Sequence, residues 1–341
     1  MSLEIIPLDP HDDAAMAAWH ATYLASSVFE RPYANPWMLA EIRVELGSDN
    51  PGERQLAWSG VVDGEVVSTG YLSLPLRDNL RQAWVEVHTR PEQRRRGHGS
   101  AMLEHLVGVA AEQGRSVLVA ETAYPFDGPS DGTGHPYVDF LRDRGFTLGI
   151  ADVQRALGLP VDESLLQQLV GDAASHHAGY EIRQFEGAVP DDIVDSYAEL
   201  VGTLNTEAPT GELELEPESY DVARVRADEA TIAAQGRARY TTVALAPDGT
   251  VAAYTDLLVP EHAPGKVFQW GTLVRPEHRG HRLGLAVKTH NLRLLQRERP
   301  DRRVLTTYNA EGNRHMIAIN ELLGYRPVER LGEFQRRLGA S

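Results

Sequence analysis

One turn occurs twice in this chain, in the same register. Arg90-Pro91-Glu92-Gln93-Arg94-Arg95-Arg96-Gly97-His98-Gly99 returns as Arg275-Pro276-Glu277-His278-Arg279-Gly280-His281-Arg282-Leu283-Gly284, and 275 minus 90 gives an offset of 185 residues. Asp63-Gly64 and Pro75 return as Asp248-Gly249 and Pro260 at that same offset. Each copy of the turn follows a short apolar run and opens a helical pattern. The first N–H groups of a helix have no partner of their own, so such a mouth can hold an anion. A chain of 341 residues built this way reads as a duplicated, phosphate-cradling fold.

The order of predicted elements repeats as well. Leu3–Leu8 reads as a strand, followed by a helix with Met16, Trp19 and Tyr23 on one face. In the second half Tyr180–Phe185 is the strand, and Ile193, Tyr197 and Leu200 form the stripe. A hairpin follows in each: Gln55–Val62 and Glu65–Leu74 around Asp63-Gly64, then Arg239–Ala246 and Val251–Val259 around Asp248-Gly249. A third strand, Ala83–Thr89 or Val267–Val274, leads into the turn, and the helix after it runs to about Gln113 or Gln296. A fifth strand comes next, Ser116–Ala120 or Arg303–Thr307. The last helix ends at Gly145-Phe146 or Gly324-Tyr325, where glycine suits a left-handed cap. Closing strands include Asp152–Arg155 and Glu333–Arg336. The expected domains are 1–158 and 179–341, with 159–178 as a linker holding a short helix at Asp162–Val170. His176-His177 in the polar part of that linker reads as solvated sequence, since no third metal ligand accompanies the pair.

Composition narrows the function classes. A net charge of −16 argues against general nucleic-acid binding, which needs a basic face, and it is compatible with a cationic substrate such as an amine. No apolar run approaches the roughly 20 residues that span a bilayer. The N-terminus lacks the basic and apolar regions of a secretory signal, so the cytoplasm is the expected compartment. The absence of cysteine removes disulfides, thiolate metal sites and a cysteine nucleophile. No metal is expected.

The element order, together with Arg94, Gly97 and Gly99, resembles the GNAT acetyltransferase family, twice over and across nearly the whole chain. The family pattern is Gln or Arg, two residues, Gly, one residue, then Gly or Ala. The resemblance implies an α/β fold with a mixed α+β sheet: two GNAT-like domains in tandem, each a mostly antiparallel sheet splayed at the acyl-coenzyme A site and flanked by helices. It also implies acetyl-coenzyme A as co-substrate, its diphosphate held by Arg94, Arg95, Arg96, Gly97, His98, Gly99 and Ser100. The matching set in the second copy is Arg279, Gly280, His281, Arg282, Leu283, Gly284 and Leu285, with Arg282 in the place of Gly97. Glycines admit the backbone and arginines can pair with phosphate oxygens. The strand N–H groups of Val87, His88 and Thr89, or of Thr272, Leu273 and Val274, would polarise the acyl carbonyl. Asn309 and Asn313 resemble the segment that binds the pantetheine arm and favour the second half as the catalytic one. The first half has instead a Gly/Pro/Asp-rich insertion, Ala123–Pro136, a candidate lid or substrate loop.

The implied reaction is direct attack by a primary amine, without a covalent enzyme intermediate. The tyrosine that usually serves as acid is missing: Leu141 and Asn320 hold its positions. Glu86 on the motif strand is the candidate base and Tyr308 a fallback acid. The acidic loop Thr210–Glu218 offers carboxylates to a cationic acceptor. The acceptor stays open among a small amine, an aminoglycoside-like sugar, a mycothiol-type precursor and a protein N-terminus. The rival reading is a non-catalytic acyl-coenzyme A sensor or scaffold whose lost tyrosines record lost chemistry.

Overall fold

A computed structural model describes residues 3–207, 209, 211–216 and 219–339. The chain divides into two compact units, 1–151 with 331–341, and 152–330. The first unit runs β1 (Glu4–Pro7), α1 (Asp13–Ser27), α2 (Leu39–Gly47), β2 (Glu53–Val62), β3 (Glu65–Pro75), β4 (Gln82–Thr89), α3 (His98–Glu112), β5 (Val117–Pro125), α4 (Pro136–Arg142) and the start of β6 (Thr147–Gly158). The second continues with α5 (Glu163–Ala174), β7 (Glu181–Glu186), α6 (Val194–Gly202), α7 (Leu204–Glu207), α8 (Val222–Ala234) and β8 (Arg237–Leu245). It then has β9 (Val251–Pro260), β10 (Lys266–Val274), α9 (Leu283–Glu298), β11 (Val304–Ala310), α10 (Arg314–Leu323) and the start of β12 (Arg326–Arg337).

Local chemistry accounts for these elements. The Asp12 carboxylate accepts from the N–H groups of Ala14 and Ala15 and so starts α1, whose Met16, Trp19 and Tyr23 are buried. Asp63 and Gly64 both take positive φ, 53° and 83°, which closes the β2–β3 hairpin with the twist its strands need. In α3, Met102, Leu103, Leu106 and Ala110 lie against β3 and β4 in the main core of the first unit. A fully buried leucine of this kind contributes about 1.5–3 kcal/mol. The strand order is β1-β2-β3-β4-β5-β12 in the first unit and β6-β11-β10-β9-β8-β7 in the second.

The closing strands are exchanged with respect to the sequence reading. The boundary between units falls inside β6, after Ala151, and inside β12, after Arg330. Asp152–Gly158 pairs antiparallel with β11 in the second unit. Phe334, fully buried, completes the core of the first. The units therefore do not end at 158 and begin at 179. Nor is 159–178 a free linker, because Leu166, Leu169 and Ala173 of α5 pack with Leu285, Leu292 and Leu295 of α9.

Candidate acyl-transfer sites

In the first unit β4 and β5 run parallel and pair at only three positions, Gln82 with Val117, Ala83 with Leu118 and Trp84 with Val119. Beyond them β4 stays bonded to β3 as far as Thr89, while β5 continues without β4 to Pro125, bordered on its other side by β12. The two strands part. At the end of β4 the chain makes a single 3-10 turn at Pro91–Gln93 and enters α3 through Gly97, whose φ of 90° favours glycine. No side chain caps α3 and no acid stands in its first turn, so the N–H groups of His98, Gly99 and Ser100 face an electropositive mouth. A Cβ on Gly99 would lie 3.2 Å from Thr89 Oγ1, a tight fit.

The arginines of this turn divide their work. Arg94, offered to phosphate by the sequence, is engaged inside the protein. Its guanidinium donates to Thr89 O (3.2 Å), Tyr137 Oη (2.7 Å) and Ser26 Oγ (3.3 Å) and lies over the Phe29 and Tyr137 rings. It fastens α1 and α4 to the mouth. Arg95 and Arg96 are exposed. The Ser100 hydroxyl accepts from Arg144 (2.5 Å). The insertion before α4 is tied down by Asp131, which bonds Thr133 and Arg142. Hydrogen bonds from Thr133, then Arg142, hold that carboxyl near 2.

The sheet face toward α1 carries the candidate chemistry. Glu86 and His88, two residues apart on β4, bring Oε2 and Nε2 to 3.3 Å, with Glu86 45% and His88 21% exposed. The His88 ring meets Tyr23 edge-on at 4.8 Å. Burial, and next the Glu86 charge, push the Tyr23 phenol up, and burial does the same at Tyr71 across the strand from Glu86. Both phenols stay neutral. On the opposite face, toward α3, Val85, Ala120, Leu103 and Leu141 are buried with Val87 against them.

The second unit repeats the parting. β10 pairs with β11 only through Lys266–Phe268 against Val304–Thr306. It adds a bulge, for between Gln269 and Thr272 the register with β9 slips, setting Trp270 and Gly271 against Asp256. Gly271 is obligatory there, since a Cβ would stand 2.4 Å from Tyr254 Oη. The mouth of α9 also lacks a side-chain cap and a first-turn acid. Arg282 takes the left-handed conformation (φ 53°) where the first unit has Gly97, and its side chain donates to Asp172 O at 3.4 Å. His281 Nδ1 and His176 O lie 3.1 Å apart, and Arg279 pairs with Glu207 (2.7 Å). Gly280 has φ 86°. Leu273, Leu283 and Leu285 are core residues, and Val274 packs beside Leu283. Thr272 Oγ1 meets Thr255 Oγ1 at 2.7 Å.

The asparagines have internal partners. Asn313 caps α10 by accepting from Met316 N–H (3.2 Å), and Asn309 Oδ1 accepts from Asn320 Nδ2 (2.6 Å). Tyr308 pairs with Gln154 across β6 and is half-buried. Polar groups facing α6 and α8 form closed networks, in which Asp256 accepts from Tyr197 Oη and Thr241 Oγ1, and Arg239 pairs with Glu229. Of the acidic loop, Thr210, Pro217 and Glu218 lie outside the described residues. No group of three or more His, Cys, Asp or Glu among the described residues is arranged to hold a metal. None of the described helices is long and apolar enough to cross a membrane.

A sheet that parts at the bare mouth of a helix, made twice, is the arrangement found in tandem GNAT proteins. Residues 18–131 match the model of the Acetyltransferase (GNAT) family. A tandem GNAT protein from the clavulanic acid biosynthesis pathway is similar over 100% of both chains, at 27% identity and a TM-score of 0.79. A GCN5-related N-acetyltransferase from Sphaerobacter thermophilus shares the fold at 16% identity and a TM-score of 0.67, over 99% of this chain and 97% of that one. No curated protein sequence matches. The family match thus falls in the first unit, and the whole chain shares the fold of a tandem GNAT protein.

Proposed function

We propose that the chain moves an acetyl group from acetyl-coenzyme A to a primary amine by direct attack, with the first unit performing the transfer. One observation carries this reading: a half-exposed Glu86 stands 3.3 Å from His88 on a strand that parts from its neighbour beside the bare mouth of α3. The mouth's N–H groups suit a diphosphate, with Arg95 and Arg96 free in solvent to pair with its oxygens. The apolar lining of Val85, Val87, Ala120 and Leu141 suits a methyl group. An amine arriving from the α1 side bonds the acyl carbon as the C–S bond breaks. Glu86, oriented by His88, takes the proton the amine sheds, and that proton serves the departing thiolate. In the second unit Gly271 stands where the first has Glu86, and Asn309 and Asn313 are committed to Asn320 and to the α10 cap. These features support the first unit as the catalytic one.

The test is release of free thiol from acetyl-coenzyme A against a panel of amines. Glu86→Gln should lower kcat/KM about 100-fold or more, the usual weight of a general base. Tight binding of acetyl-coenzyme A with no thiol released for any amine would favour the sensor reading.

A further inference from the structure

The parting strands of the two units are lined in opposite ways. On the α9 side of the second unit the lining is Gln269, Lys288, Asn291, Thr307, Asn320 and Tyr325, all less than a tenth exposed. Thr307 alternates onto the face of Leu305, which packs in the α9 core. The helix repeat, the strand registers and the terminal glycines place Val85, Leu103, Leu106, Ala120, Leu141 and Phe146 at the corresponding positions of the first unit, every one buried and apolar. Lys288 is the sharpest departure. It is 3% exposed, and among the described residues it has no hydrogen-bond or ion-pair partner, only the Tyr325 ring, 5.5 Å from its Nζ. Gly284, one turn earlier on the same helix face, looks onto Val274 at the end of β10 and onto Ile319 of α10. The lysine stem leans back toward that level. Asn320 Oδ1 and Asn291 Oδ1 are likewise buried without a partner.

A buried cation without a counter-charge is a costly arrangement unless a ligand supplies the anion. Burial alone draws the Lys288 amine down to about 7, and no neighbouring carboxylate offsets it. We propose that the parting strands of the second unit receive a ligand bearing a carboxylate, with Lys288 as its counter-charge and the determinant of that preference. The carboxylate comes either from a dicarboxylic acyl chain on the carrier thioester or from the second substrate. The inference rests on the reading that the mouth of α9 holds an acyl carrier.

Calorimetry on the full chain tests it, in a Gly97→Asp background so that heat reports the second unit. Succinyl-coenzyme A should bind at least tenfold tighter than acetyl-coenzyme A, and Lys288→Met should bring the two to parity. If the carboxylate belongs to the second substrate, succinate should bind over succinamide in the presence of coenzyme A, again only with Lys288 present. In either case the Lys288 side-chain NMR signal should titrate at higher pH once the carboxylate is bound, a change that a packing role would not produce. Absence of both preferences, or their survival in Lys288→Met and Lys288→Leu, overturns the proposal. If acetyl-coenzyme A and coenzyme A themselves give no heat, the reading beneath it fails, and the proposal falls with it.

Discussion

Lys288 sets the clearest expectation at the scale of a residue. Its amine titrates near 7 when folded and at an ordinary lysine value when unfolded, so between those limits the unfolded chain binds the extra proton. Stability should therefore rise with pH from about 7 toward 10, by on the order of a few kcal/mol. Lys288→Met should flatten that rise and melt higher than the parent near neutrality. Urea unfolding of both proteins across this range checks it. Only part of this was legible in the sequence. Glu86 is a candidate from the sequence because it sits on the motif strand, and Arg95 and Arg96 because they flank a glycine turn. That Arg94 would turn inward to Tyr137, Ser26 and Thr89 depended on three segments meeting in space. Lys288 lay unnoticed inside a helix because a lysine in a periodic pattern reads as a solvated position.

At the scale of elements, the parting of parallel strands and the bare helix mouths predict site-selective damage. Gly97→Asp sets a carboxylate at a mouth built for anions, in a left-handed backbone position. Calorimetry with acetyl-coenzyme A should lose the heat of the first unit and keep that of the second, with Gly284→Asp giving the reverse. Gly271→Ala drives a methyl group into Tyr254 Oη and should cost about 1–3 kcal/mol in chemical denaturation as the bulge is forced to shift. Most elements could be read in advance, because hairpin turns and helical stripes are local signals. The bulge could not, since it depends on how β10 meets β9. Helix α2 was also missed: its start is set by Glu41 accepting from the Met38 N–H (2.7 Å), and its nine residues show only a short stripe.

For the whole molecule, the exchange of closing strands decides what can stand alone. Residues 1–158 lack Phe334, which fills the core of the first unit. Produced by themselves they should show low solubility and no cooperative melt, and a peptide of residues 326–341 added in trans should restore both. The sequence concealed this because Asp152-Val153-Gln154-Arg155 and Glu333-Phe334-Gln335-Arg336 alternate alike, so either strand has a pattern fit for either sheet. The repeat revealed two units but not which chain ends would complete them.

A unit whose final strand lies beyond the whole of the second unit in the chain cannot mature in the usual order. Most two-part proteins let the leading half fold while the ribosome is still elongating the trailing half. Here the leading half waits, its interior open along one edge, until residues 331–341 have left the ribosome. Premature termination anywhere before residue 331 would release a first half that is never finished.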